Sequence, residues 1–136
     1  DEVLRRARLG SDDRPIGDLL LDQQVAAGIG NVFRCELLFL ERLDPWRPAC
    51  EVPDEALRSV YVRAAELLRA NLLTARRTTL PATLRAPPGR RDRTPGALFW
   101  VYDRLRRPCR RCGAMIQQTR TGENARLLWW CPDCQG

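Results

Sequence analysis

The 136-residue sequence contains no lysine and no histidine; all 23 of its basic residues are arginine. The missing histidine removes the commonest general base and any Ser-His-Asp triad. The missing lysine means that no side chain can form a Schiff base, which leaves the amino terminus as the free amine of the chain. Long apolar runs are also absent: nothing approaches the ~20 residues that span a bilayer. No secretory signal is visible, so the chain is expected to be soluble and cytoplasmic.

Six cysteines are present, and four fall into a pattern. Cys109-x-x-Cys112 and Cys131-x-x-Cys134 are separated by eighteen residues, enough for a β-hairpin that folds the second pair back onto the first. Each pair fits one tight turn, and four thiolates from two such turns make a tetrahedral cage for Zn2+, with iron the chemical alternative. A redox Cys-x-x-Cys motif would need one pair alone. Cys35 lies in a candidate helix and reads as a buried thiol, whereas Cys50 lies in a loop; a bridge between them is disfavoured in a reducing compartment.

The net charge of +6 is unevenly placed. Residues 1–75 hold 10 arginines against 13 acids, whereas residues 76–136 hold 13 arginines against 4 acids. Four metal-bound thiolates would offset part of this excess. Guanidinium forks match phosphate, so a basic half points to nucleic acid; the alternative is a solvated surface in an arginine-rich proteome.

Apolar periodicity predicts helices over residues 1–9, 15–21, 31–41 and 54–73. Gly10-Ser11-Asp12-Asp13 ends the first, and Pro15 opens the second. The last carries a stripe of Leu57, Val60, Tyr61, Ala64, Leu67, Leu68 and Leu72. Gly28 and Gly30 precede the third helix, with Asn31 at its N-cap position. Exposed N–H groups at a helix start, glycine and an amide side chain together make a candidate phosphate site. Trp46 reads as a packing plug in the loop over 43–52. Residues 76–96 combine proline, glycine and arginine and read as an exposed, mobile basic loop. Residues 97–102 read as a strand, as do 114–119 and 125–130, with a turn at 121–124.

Several of these stretches together resemble one family. Leu20-Leu21-Asp22-Gln23, Gly28-Ile29-Gly30-Asn31-Val32-Phe33 and Asp44-Pro45 are similar to the helix–two-turn–helix region of the formamidopyrimidine-DNA glycosylase and endonuclease VIII family. The terminal Cys-x-x-Cys-Gly and Trp130-Cys131-Pro132-x-Cys134-Gln135 resemble its zinc finger. Arg34-Cys35-Glu36-Leu37-Leu38-Phe39 and the Trp-Cys-Pro ending look more like the endonuclease VIII side.

The resemblance implies a mainly α fold: a helix–two-turn–helix DNA-binding domain over 1–80, a basic loop over 81–96, and a four-cysteine zinc finger with a small β-hairpin ribbon over 97–136. It implies one structural Zn2+ on Cys109, Cys112, Cys131 and Cys134. It points to Gly30 and Asn31 for DNA backbone contact. Arg126, five residues before Cys131, stands where the family's finger carries an arginine that meets phosphate near the everted nucleotide. Val101-Tyr102-Asp103-Arg104 resembles a short motif before the finger, which adds Tyr102 and Arg104.

The implied activity is that of a bifunctional DNA glycosylase/AP lyase acting on oxidised bases and abasic sites in duplex DNA. The family's nucleophile is an N-terminal proline amine assisted by a neighbouring glutamate. Asp1-Glu2 does not match that start, so the chain is expected to be the DNA-binding C-terminal part of such an enzyme, monomeric, and inactive alone. A non-catalytic nucleic-acid-binding zinc-ribbon module is the alternative, and an RNA-associated ribbon a third reading. The residues do not specify the lesion.

Overall fold

The computed structural model describes residues 2–9, 13–74, 76–87, 89–90 and 92–136. Helices α1 (Glu2–Leu9), α2 (Ile16–Leu19), α3 (Asn31–Leu40) and α4 (Asp54–Ala70) form the first part of the chain. A hairpin of β1 (Gln117–Thr121) and β2 (Arg126–Trp130) and a short α5 (Pro132–Gln135) close it. The architecture is thus mainly α with a terminal β-hairpin ribbon, as expected. No described helix is long and apolar enough to cross a membrane.

The arrangement follows from α3. Every residue from Val32 to Phe39 is buried, so this helix has no solvent face and other elements cover it on all sides. Helix α4 supplies Leu57, Val60, Tyr61 and Ala64 from its apolar stripe. The hairpin supplies Leu128 and Trp129, and one apolar cluster runs from Ala7 through α3 to Cys131. Helical part and ribbon therefore share a core. Helix α4 ends at Ala70, earlier than its periodicity suggests: Asn71 turns back so that its side chain donates to the Leu67 carbonyl at 2.8 Å and accepts from Thr78 N–H at 2.9 Å. Leu72 is consequently 76% exposed rather than part of the stripe. Of the expected stop of α1 at Gly10-Ser11-Asp12-Asp13, Gly10, Ser11 and Asp12 lie outside the described residues, and Asp13 is exposed.

Two side chains shape the turn before α3. Asp22 Oδ1 accepts from Gln24 N–H at 2.9 Å. Gln23 bridges the loop, accepting from Gly28 N–H at 2.9 Å and donating to the Ile29 carbonyl at 2.9 Å. Gly28 sits at φ +100°, a conformation that L side chains rarely adopt, with Leu68 packed above it.

Residues 97–102 do not form the expected strand; they run as consecutive turns. The cause is Glu36, fully buried on α3. Its carboxylate accepts from the backbone N–H of Trp100, Val101 and Tyr102 at 2.7, 2.9 and 3.1 Å, and from the Thr79 hydroxyl. A strand would turn alternate N–H groups to opposite sides, so three successive donors cannot converge on one carboxylate in that conformation. Both ends of the basic segment over 76–96 are pinned by the same knot, Thr79 N–H donating to the Leu98 carbonyl at 3.1 Å. Between them Arg85, Arg90 and Arg93 are exposed.

Candidate nucleic-acid interface and metal centre

The four cysteines meet. The Sγ atoms of Cys109, Cys112, Cys131 and Cys134 all lie within 4.8 Å of one another. Cys109 and Cys134 are 3.9 Å apart and Cys112 and Cys131 3.4 Å apart. Zn–S bonds of about 2.3 Å at tetrahedral angles place sulfurs about 3.8 Å apart, so the cage has the right size for such an ion. Each pair forms the same knuckle: Arg111 N–H points at Cys109 Sγ and Cys134 N–H at Cys131 Sγ, both at 3.4 Å. Burial and the neighbouring thiols push Cys134 up to about 12. Four thiols this close cannot all ionise without a cation among them, and a divalent cation reverses the balance. Cys35 is buried and free, its thiol pushed up to about 11 mainly by burial, and Cys50 is exposed and free; the two are not bridged.

The cage is anchored to the helical part from both knuckles. Gln135 accepts from Cys131 N–H at 2.9 Å and donates to the Leu43 carbonyl, just past α3, at 3.1 Å. Arg111 lies over the Phe39 ring, 4.2 Å from its centroid, and donates to the Phe39 carbonyl at 3.3 Å. Arg110 donates to the Phe99 carbonyl at 3.0 Å. These two arginines thus tie the first knuckle to its support, besides whatever charge they set against the thiolates. Trp46 packs edge-on against Trp130, ring centroids 4.7 Å apart, while remaining 42% exposed.

The hairpin pairs antiparallel with Thr121 opposite Arg126 and Thr119 opposite Leu128. Gly122 at φ +75° and Ala125 at φ +48° turn the chain. The tip rests on α2, since a Cβ on Gly122 would lie 3.3 Å from Asp18 Oδ1. Arg126 opens β2 with an exposed side chain.

At the start of α3 the N-cap residue is Gly30, and no side chain caps the helix. Asn31 is the first helical residue, not the cap. Its amide instead reaches the hairpin: Nδ2 donates to the Leu127 carbonyl at 2.7 Å, and Oδ1 accepts from Arg34 at 2.7 Å. Asn31 and Arg126 are thus brought together across 95 positions of sequence, since Leu127 adjoins Arg126. Gly30 has an ordinary extended backbone, φ −91°, and a Cβ there would meet nothing within 4 Å. Nothing in the chain itself requires a glycine at that position; what it leaves is an open approach to the helix start.

Tyr102 belongs to the same side. Its ring packs on Trp129 of β2, centroids 4.7 Å apart, and on Phe99. Burial first, and then Asp103, push its phenol up, while the charges of Arg77 and Arg126 pull it down. Arg104 is placed differently. It is 7% exposed and donates to the Trp100 and Pro108 carbonyls at 2.9 and 3.0 Å, so its fork closes a turn of its own chain. Arg34, Glu36 and Gln135, which hold this surface together, stand in the family-like stretches of the sequence, which assigns them no role of their own.

The family described as Formamidopyrimidine-DNA glycosylase H2TH domain matches residues 2–81. Among curated proteins the chain is similar to the DNA-(apurinic or apyrimidinic site) lyase Nei2 of Mycolicibacterium smegmatis, 42% identical over 90% of this chain and 43% of the relative. It is 43% identical to an endonuclease 8 2 of Mycobacterium bovis over the same shares. The formamidopyrimidine-DNA glycosylase of Thermus thermophilus is 36% identical over 90% of this chain and 45% of that protein, so the sequence stands nearer the endonuclease 8 side. The chain spans about half the length of the curated relatives it matches. Among solved structures, the MutM (Fpg) protein of Thermus thermophilus superimposes with a TM-score of 0.75 at 32% identity, covering 99% of this chain and 49% of that one. The Lactococcus lactis Fpg in complex with abasic-site DNA gives 0.71 at 25% identity, covering 100% and 47%.

Proposed function

Since the chain belongs to the formamidopyrimidine-DNA glycosylase H2TH family, we propose that it is the DNA-gripping part of an endonuclease 8-type DNA glycosylase/AP lyase, acting in base excision repair on cytoplasmic, nucleoid-associated DNA. The observation that carries this reading is the 2.7 Å bond from Asn31 to the Leu127 carbonyl, which joins the open start of α3 to the strand that presents Arg126. One phosphate would sit over Gly30, held by helical N–H groups and the second hydrogen of the Asn31 amide. Another would take the Arg126 fork. Tyr102 lies beside them, and Arg104 acts beneath the surface as a brace. Such contacts fix position on the duplex and carry no base information.

Cys109, Cys112, Cys131 and Cys134 would hold one Zn2+, whose chemistry is that of a closed structural cross-link. The relatives are named for lyase and endonuclease activity, and the partner we assign is duplex DNA with a damaged base or an abasic site, bound by a monomer. The division at 1–80, 81–96 and 97–136 then separates the helical grip, the basic loop and the finger.

The test is binding of the metal-loaded chain to an abasic-site duplex across a salt series. Neutralising about five phosphates gives a slope of log K against log salt of about −4 to −5. Arg126→Ala is expected to lower the magnitude of that slope by about 1 and to weaken binding to all sequences alike. A slope near zero overturns the reading, and preference for structured RNA over the duplex replaces it with an RNA-binding ribbon.

A further inference from the structure

Arg34 has no exposed surface, although it is the longest polar side chain on α3. Its fork makes a specific set of contacts. One terminal nitrogen donates to Thr121 Oγ1 at 2.9 Å and lies 3.5 Å from the Gly17 carbonyl; the other donates to Asn31 Oδ1 at 2.7 Å and to the Leu127 carbonyl at 3.3 Å. Its Nε has no hydrogen-bond partner among the described residues. Among the described residues its ion-pair partner is Asp18, 3.9 Å away. A buried guanidinium without a close ion pair is costly, and an apolar residue of similar volume would pack the same space more cheaply. Burial draws its pKa down, with Cys35 and Asp18 opposing.

The contacts say what the charge is for. An asparagine amide can turn over, exchanging its acceptor oxygen for its donor nitrogen. Arg34 offers hydrogens alone and so demands the oxygen, while the Leu127 carbonyl demands the nitrogen. Both constraints select one orientation, in which the second Nδ2 hydrogen of Asn31 is free of Arg34 and Leu127. The same fork touches both strands of the hairpin, at Thr121 and Leu127, which are respectively opposite and next to Arg126.

We propose that Arg34 is a positioning residue for DNA binding: it fixes the Asn31 amide with its N–H toward a phosphate and sets the spacing between that amide and Arg126. This inference rests on the DNA reading above. It differs from a general charge effect, because Arg34 itself cannot reach a phosphate.

The experiment measures dissociation constants by fluorescence anisotropy on an abasic-site duplex, with the metal-loaded chain and the variants Arg34→Lys, Arg34→Met, Asn31→Ala and Arg126→Ala, plus each Arg34 variant combined with Asn31→Ala. Both Arg34 variants are expected to weaken binding about tenfold with the salt slope unchanged, since the contact they loosen is made by the neutral Asn31 amide and no charged phosphate contact is lost. On the Asn31→Ala background either should add less than about twofold, because its target is gone. Wild-type affinity for Arg34→Lys overturns the proposal, showing that charge alone suffices. An equal loss on both backgrounds also overturns it, showing a general structural role. Metal content and tryptophan fluorescence report folding; if Arg34→Met does not fold, the Arg34→Lys cycle decides. If Asn31→Ala and Arg126→Ala change neither affinity nor slope, the DNA reading itself fails and the inference falls with it.

Discussion

Replacing Glu36 by glutamine changes one oxygen to an NH2 group and leaves the shape of the side chain intact. In the folded chain Oε1 accepts from the Thr79 hydroxyl and Trp100 N–H, and Oε2 from Val101 and Tyr102 N–H. Four donors face this carboxylate; a proton on Oε2 would meet backbone donors alone, and one on Oε1 would need the Thr79 hydroxyl to turn round and accept. Burial pushes the carboxyl up and these hydrogen bonds oppose it. The least costly glutamine orientation puts the NH2 where Oε1 stands, because the Thr79 hydroxyl can rotate to accept while the backbone donors cannot. Trp100 N–H then loses its acceptor, at a cost of about 1–3 kcal/mol for a buried orphan. The bonds from Val101 and Tyr102 lose their charge assistance, about 0.5–1 kcal/mol each. Removing a buried charge returns part of this, which leaves a net loss of about 2–3 kcal/mol.

The assay is urea unfolding of the metal-loaded chain followed by tryptophan fluorescence, where Trp100 reports the knot directly. With a slope of about 2 kcal/mol per molar urea, the midpoint should fall by about 1 M. Glu36→Asp, too short to reach all four donors, should do no better. A Glu36→Gln midpoint within about 0.3 M of the parent refutes the reasoning, because it means that the group is already protonated or that its donors find other acceptors.

The two glycines before α3 should separate stability from binding. Gly28→Ala, at φ +100° under Leu68, should cost about 1–3 kcal/mol in the same urea assay; Gly30→Ala, facing open space, should leave stability within about 0.5 kcal/mol yet weaken abasic-duplex binding about tenfold. Gln135→Ala leaves Cys131 N–H and the Leu43 carbonyl without their partner, and competition with a chelating dye should show metal affinity reduced about tenfold or more. Stripping the metal should change the emission of Trp129 and Trp130, which pack on Tyr102 and Trp46, and abolish duplex binding; unchanged emission would mean that the hairpin stands without its cage.

What was legible from residues alone divides along a physical line. Local signals carried far: period, proline and glycine located the helices, and cysteine spacing located a cage that the structure closes within 4.8 Å. Asn31 and Arg126 are far apart in the sequence, and the structure bonds Asn31 to Leu127, the neighbour of Arg126. The strand expected over 97–102 failed because aromatic, β-branched composition is a statement about side chains, whereas the conformation there is dictated by a carboxylate 64 positions earlier in the chain. The roles of Arg34 and Glu36 are not legible in the local sequence for a related reason. A charge on a helix ordinarily lies on its wet face and means little, yet Arg34 and Glu36, two positions apart, are turned about 160° from each other and cannot share one such face. Helix α3 has apolar residues on every side of its circumference, at Val32, Phe33, Cys35, Leu37, Leu38 and Phe39, so it must be covered all round. A helix covered all round buries its charges too, and a buried charge needs partners. The signal was therefore present: the absence of a polar face turned Arg34 and Glu36 from surface residues into organising ones, one fastening α3 to the hairpin and the other to the segment before the finger. The two charges point to different elements, so the helix whose start is the proposed phosphate site also fastens the segment of Tyr102 and the hairpin of Arg126.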